Sequence, residues 1–126
     1  MKYDHTAVQV SDIDASIEFY TTNLGLTLKS VEVSDSLHIK FAFLEINGSK
    51  FELIEDLRGN FKKPQLSAPF CPHFCFEVDD MDTAVKQLRD AGIELLSEPT
   101  ACVAGEIFVY FKDPDNNVLE FIQWKD

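Results

Sequence analysis

The chain repeats itself at an offset of 68 residues, and this constrains its fold more than any other feature. The stretch HTAVQVSDID from His5 aligns with HFCFEVDDMD from His73, with Val10 on Val78, Asp12 on Asp80 and Asp14 on Asp82. Near the end of each half, KFELI (Lys50 to Ile54) aligns with VLEFI (Val118 to Ile122), so Glu52 falls on Glu120. The period is too long for a solenoid and occurs twice, which describes one duplicated domain.

Each half reads as the same run of elements. Alternating side chains predict a first strand over roughly 3–10 and again over 72–79. A helix follows in each half. Ile13, Ile17, Tyr20 and Leu24 recur at helical spacing, Ser11 or Asp12 can cap the start, and Gly25 stops it. In the second half Met81, Val85 and Leu88 form the matching face, with Asp79 or Asp80 as cap and Gly92 at the end. Three strands are expected after each helix, over 26–33, 37–46 and 49–56, then over 93–97, 106–112 and 117–124. Hairpin-type residues separate the last two strands of each half, EINGSK at 45–50 and DPDNNV at 113–118. The fold class is therefore α+β, two βαβββ modules from internal duplication. A single domain is expected, with module 1 over 1–56, a linker over 57–69 punctuated by Gly59, Pro64 and Pro69, and module 2 over 70–126.

The 126 residues suit one domain of about 100–150. With 45% hydrophobic residues the chain can build an ordinary core. Eleven Lys and Arg against 22 Asp and Glu give a net charge of −11, which argues against nucleic acid or an anionic membrane as partner, since both need a basic footprint. The opening Met1 to His5 shows no positive region followed by an apolar stretch, so no secretory leader is expected, and no apolar run approaches the roughly 18–20 residues that span a bilayer. With three cysteines, an odd number, a cytoplasmic protein with reduced thiols is expected.

Strand alternation puts His5, Ala7 and Gln9 on one face and Thr6, Val8 and Val10 on the other. Likewise His73, Cys75 and Glu77 lie opposite Phe74, Phe76 and Val78. On the last strands Glu52 lies opposite Phe51 and Leu53, and Glu120 opposite Leu119 and Phe121. The apolar faces can pack on the helices, so each module presents an imidazole and a carboxylate on its other face. If the halves are related by approximate twofold symmetry, His5, Glu52, His73 and Glu120 can meet at one divalent ion. Two neutral imidazoles and two carboxylates match Ni²⁺, Co²⁺, Zn²⁺ or Mn²⁺, with a neutral net site and room for water. A lone histidine on a strand is more often structural, and a duplication can copy an inert residue. The recurrence in register bears on architecture first and on a site second.

The stretches HTAVQVSDIDASIEFYTTNLGL, FELIE, PHFCFEVDDMDTAVKQLRDAGI and FVYFKDPDNNVLEFIQ together resemble the vicinal-oxygen-chelate superfamily, the glyoxalase, epimerase, extradiol-dioxygenase and bleomycin-resistance group. The resemblance covers essentially the whole chain and implies the fold of that group. It also implies metal ligands at His5, Glu52, His73 and Glu120, as in the nickel- or cobalt-preferring bacterial glyoxalase I (lactoylglutathione lyase) type. The implied activity is proton transfer next to a metal-bound carbonyl in a thiol adduct of a 2-oxoaldehyde. The resemblance implies Glu120 as the principal base and Glu52 as its partner across the substrate. The alternatives are a methylmalonyl-CoA epimerase-like enzyme, an extradiol dioxygenase, which the extra Glu52 disfavours, and a non-enzymatic small-molecule (drug) binder. The resemblance further implies a small-molecule substrate and a homodimer, with the site formed within one chain or between halves of two. Gln9 and Asp56 are the substrate-binding candidates. They stand where glutathione-using relatives carry Arg and Asn, and Asp56 would repel an anionic tail. The epimerase's His-Pro-Lys-Ser segment is replaced by Lys112 to Asn117.

The remaining constellations carry less. CPHFC, with Cys71, His73 and Cys75, lacks the second cysteine pair of a structural zinc site, and Cys102 is distant in sequence. Both cysteines are read as packing or pocket-lining residues. Arg58, Lys62 and Lys63 read as a solvated linker. Tyr3, Tyr20, Tyr110 and Trp124 read as core or edge aromatics, and His38 as a surface or pocket residue.

Overall fold

Asp12 and Asp80 each start a helix in the computed structural model, which describes residues 1–125. The Asp12 carboxylate accepts from the backbone N–H groups of Asp14 and Ala15 at the head of α1 (Ile13–Leu24), and Asp80 accepts from Thr83 N–H at the head of α2 (Met81–Asp90). Each helix borrows a second acceptor from the last strand of its own half. Glu55 Oε1 accepts from Ile13 N–H at 2.8 Å, and Gln123 Oε1 from Met81 N–H at 2.6 Å. These side chains occupy equivalent places in the repeat and satisfy donors that a helix leaves orphaned at its start. Gly25, at φ 72, ends α1 in the left-handed region.

The chain divides into two compact units, Met1–Lys63 and the stretch from Pro64 onward, and the division falls inside the 57–69 segment. The first unit holds β1 (His5–Val10), β2 (Thr27–Ser34), β3 (Ile39–Ile46) and β4 (Ser49–Asp56) in the order β1-β4-β3-β2. The second holds β5 (Phe74–Glu77), β6 (Thr100–Ala101), β7 (Ile107–Lys112) and β8 (Val118–Gln123) in the order β5-β8-β7-β6. In each sheet the first strand runs parallel to the last, and the other pairings are antiparallel. The α+β expectation of two βαβββ modules is met. No helix among the described residues is long and apolar enough to cross a membrane.

Two strands of the second half depart from expectation. The strand expected over 93–97 is reduced to an isolated bridge, Leu95 to Phe111, followed by the short β6. From that bridge to the Thr100–Phe108 pair, residues 95–100 span the same length as residues 108–111, so the outer chain bulges. Pro99 has no N–H to give the ladder, and Ser97 Oγ accepts from Tyr110 N–H at 3.0 Å where a strand would use a carbonyl. The strand expected over 72–79 is shorter, Phe74–Glu77, so His73 lies just before it.

The alternation holds where it matters. Val8 and Val10 of β1 and Phe51 and Leu53 of β4 pack toward Ile13 and Tyr20 of α1, all 8% exposed or less. Ser16 is buried with them, whereas Ile17 and Leu24 are half-buried. In the second unit Val109, Phe111, Leu119 and Phe121 face the buried Met81, Val85 and Leu88 of α2. Each such side chain contributes about 1.5–3 kcal/mol on burial. With one face of each sheet committed to the core, the other is left for polar side chains.

Candidate functional site

In the first unit Ala7 pairs directly with Glu52 across the parallel β1–β4 ladder. His5, two residues earlier on the same face, is therefore the diagonal neighbour of Glu52. Its Nε2 lies 3.1 Å from Glu52 Oε1. In the second unit Cys75 pairs with Glu120, and His73, again two residues earlier, brings Nε2 to 3.0 Å from Glu120 Oε1. The carboxylates are the better-buried members, with side chains 13% and 12% exposed against 33% and 24% for the imidazoles. Each pair lies within its own unit, and among the described residues no three of His, Cys, Asp and Glu gather closely enough to hold a metal ion.

Both imidazoles have their other nitrogen tied down. His5 Nδ1 lies 2.7 Å from Asp4 Oδ2, and the other oxygen of Asp4 accepts from Lys50 Nζ at 2.9 Å. His73 Nδ1 lies 2.9 Å from the carbonyl oxygen of Phe70. The Asp4 carboxylate and the Phe70 carbonyl only accept, so each Nδ1 is placed to donate, and a neutral ring that does so has its lone pair on Nε2. The hydrogen bond to Asp4, ahead of the Glu52 charge, raises the His5 pKa above its ordinary 6.5.

Aromatic rings complete each half-site. Phe43 pairs with Glu52 across β3–β4 and meets the His5 ring edge-on at 5.1 Å. Tyr110 pairs with Glu120 across β7–β8 and meets the His73 ring at 5.1 Å. Desolvation, ahead of the Glu120 charge, pushes the Tyr110 phenol up. Comparing the halves at a fixed shift conceals this equivalence, because 43 and 110 differ by 67 and not 68. The second hairpin is one residue longer, turning between Lys112 and Val118 where the first turns between Glu45 and Lys50.

Gln9 lies on the His5 face of β1, paired with Ile54, and Asp56 ends β4 on the Glu52 face. Asp56 is not a bare negative charge. Its Oδ1 accepts from the Arg58 backbone N–H at 2.9 Å and lies 3.2 Å from Arg58 Nε, and these contacts lower its pKa. All three cysteines are free and exposed as residues, so Cys71 and Cys75 are not core packing. Cys71 Sγ lies 4.0 Å from His73 Nδ1. The Cys75 sulfur is partly desolvated beside Glu120, which pushes its pKa up to about 12. His38 is exposed, and its carbonyl accepts from Leu57 N–H.

Comparison with known proteins shows the family. Residues 2–121 match the family model of the Glyoxalase/Bleomycin resistance protein/Dioxygenase superfamily. The chain belongs to that superfamily. Among the relatives of this glyoxalase-superfamily chain is a probable lactoylglutathione lyase of Vibrio cholerae, 31% identical, covering 96% of this chain and 89% of that protein. A lactoylglutathione lyase of Escherichia coli O157:H7 is 28% identical over 100% of this chain and 95% of its own. In fold, the chain resembles a glyoxylase/bleomycin resistance protein/dioxygenase domain from Frankia sp. EAN1pec, with a TM-score of 0.82 at 23% identity, over 100% of this chain and 93% of that one.

Proposed function

We propose that the protein is a divalent-metal-dependent lyase or isomerase of glyoxalase I type, acting on a thiol adduct of a 2-oxoaldehyde. The observation that carries this reading is the pairing of Nε2 with a glutamate oxygen at 3.1 Å in one half and 3.0 Å in the other, with Nδ1 anchored in both. A neutral imidazole with its proton on Nδ1 sets a lone pair against a carboxylate oxygen. Two acceptors at that distance repel unless a proton or a cation sits between them. The donor set fits a cation: each pair sets an imidazole nitrogen beside a carboxylate oxygen, ligand types that such ions take. His5, Glu52, His73 and Glu120 are the proposed ligands. Four ligands require both halves to serve the ion, within one chain or across a homodimer. Two carboxylates neutralise a dication, and the N/O set suits Ni²⁺, Co²⁺, Zn²⁺ or Mn²⁺.

Bound there, such an ion supplies a Lewis acid that lowers the cost of negative charge on a neighbouring carbonyl oxygen. The chain itself supplies the proton transfer. Glu120, the better-buried carboxylate, would take the proton from the carbon next to the carbonyl and return it to the former carbonyl carbon, and Glu52 would serve the opposite side of the substrate. A positioned base of this kind contributes about 10²–10⁴ in rate. Gln9 and the Asp56–Arg58 pair line the approach on the first half's site face. They offer amide and paired-ion contacts, so the preferred thiol need not be glutathione. Relatives named lactoylglutathione lyase support the same chemistry. A cytoplasmic setting suits a thiol-adduct substrate and three free cysteines.

The test is to strip the protein, reload it with Ni²⁺, Co²⁺, Zn²⁺ or Mn²⁺, and assay methylglyoxal hemithioacetals of several thiols, with methylmalonyl-CoA alongside. The expected result is one ion per His-Glu quartet and turnover of at least one hemithioacetal. Failure to retain any ion, or a loaded protein silent on every hemithioacetal, overturns the proposal. Turnover of methylmalonyl-CoA alone replaces it with the epimerase.

A further inference from the structure

We infer that Asp4, held in place by Lys50, is a positioning residue that fixes the His5 tautomer so that Nε2 presents a lone pair to a metal ion. The inference rests on the metal reading above. Its starting point is that the two halves reach one arrangement by unrelated means. The place equivalent to Asp4 in the second half is Pro72, which has no side-chain acceptor, and the place equivalent to Lys50 is Val118. There the Nδ1 of His73 finds the Phe70 carbonyl at 2.9 Å instead. Phe70 sits at φ 58, a left-handed conformation that bulky residues rarely adopt, so the carbonyl is delivered at a conformational cost. Two different partners meeting one requirement, at equivalent places of a duplicated pattern, mark the requirement as functional. Histidines that ligate metals commonly have the far nitrogen anchored in this way.

The competition at His5 shows what Asp4 does. Neutral imidazole has one N–H to place, and two carboxylates ask for it: Asp4 at 2.7 Å from Nδ1 and Glu52 at 3.1 Å from Nε2. The shorter contact favours the proton on Nδ1, the tautomer that leaves Nε2 open. Without Asp4 the proton would move to Nε2 and point at Glu52, into the place an ion must occupy. Lys50 faces His5 directly in the β1–β4 register, and its ammonium holds the second Asp4 oxygen at 2.9 Å. The carboxylate is therefore restrained although its side chain is 65% exposed. That exposure also makes Asp4 a safe position to substitute without unfolding the chain.

The experiment reads tautomers in the metal-free protein and affinity in the loaded one. Long-range proton–nitrogen spectra of ¹⁵N-histidine-labelled protein, taken above the His5 pKa, should show His5 protonated on Nδ1. In Asp4→Ala the proton should shift to Nε2, while His73 stays on Nδ1 as an internal control. Competition titrations with a chromophoric chelator should find Ni²⁺ and Co²⁺ bound about 10–100-fold more weakly by Asp4→Ala. Asp4→Asn, whose amide oxygen can still accept, should restore the Nδ1 tautomer and part of the affinity. An Asp4→Ala protein that keeps both the wild-type tautomer and the wild-type affinity overturns the inference. Should wild type bind neither ion, the metal reading falls, and the tautomer spectra alone still decide what Asp4 does.

Discussion

Cys75 stands directly across the β5–β8 pairing from Glu120, and the residue facing Glu52 at the equivalent place is Ala7. The two half-sites therefore share their ligand geometry and differ in what supports the carboxylate. Desolvation first, then the Glu120 charge and a hydrogen bond to Glu120, push the Cys75 thiol up to about 12. A thiol so raised stays protonated and donates to Glu120, whereas the Ala7 methyl gives Glu52 nothing. Only thiolate alkylates at an appreciable rate, so Cys75 should react with iodoacetamide at pH 8 roughly a hundred- to a thousandfold more slowly than a free cysteine. A mass-spectrometric time course reads this peptide by peptide. Glu120→Gln should accelerate Cys75 by removing the charge beside it. Alkylation of wild-type Cys75 at the free-cysteine rate would contradict the pairing.

Much of this pairing is legible in the sequence. The offset of 68 ties His5 to His73 and Glu52 to Glu120, and alternation assigns all four to the faces left over after Val8, Leu53, Leu119 and their neighbours commit to the helices. The missing step was the parallel pairing of first and last strands, because periodicity gives faces and not neighbours. Tyr110 reads as a core or edge aromatic and not as the counterpart of Phe43, because a one-residue difference in hairpin length moves it out of register. The Phe70 carbonyl could not have been found, since it depends on a positive φ in an irregular loop. The helix caps from Glu55 and Gln123 did carry a signal, the same offset of 68, but a polar side chain at a strand end has many other uses. The 93–97 strand was lost to Pro99 and Ser97, which trade ladder bonds for a bulge.

Removing one carboxylate at a time should separate holding from chemistry. Glu52→Gln and Glu120→Gln keep the side-chain volume and remove the charge. Both should weaken the retained ion, read by metal analysis after dialysis. With saturating metal restored, Glu120→Gln should lower kcat by about 10²–10⁴. Glu52→Gln should cost less, because Glu52 is assigned the second side of the substrate. Equal losses would mean that the half-sites share the base role, and a larger loss at Glu52 would reverse the assignment.

The pH dependence follows from His5. Its folded pKa lies above 6.5, chiefly through the hydrogen bond to Asp4 and then through the Glu52 charge. For a raised histidine the stabilising contribution is present in full below 6.5 and is lost as pH climbs through the folded value. The metal-free protein should therefore lose that part of its stability on the alkaline side, read as a falling denaturation midpoint. Metal binding has the opposite sign, because an ion must displace the proton from Nε2. Metal affinity should fall as pH drops below the His5 titration followed by NMR. A metal affinity that does not change across that titration would exclude His5 as a ligand.

The borrowed helix caps give a stability test independent of the site. Ile13 N–H is held by Glu55 Oε1 at 2.8 Å and Met81 N–H by Gln123 Oε1 at 2.6 Å, one charged acceptor and one neutral. Each is a bond to a helix N-terminus, where the aligned peptide dipoles favour negative charge. A hydrogen bond to a charged group is worth about 1.5–3 kcal/mol and one to a neutral group about 0.5–1.5. Glu55→Ala should accordingly cost more than Gln123→Ala, with Glu55→Gln falling between wild type and Glu55→Ala. Urea midpoints at unchanged slope measure all three. A larger loss for Gln123→Ala would show that packing under α2, and not the charge at the helix start, sets the contribution of these caps.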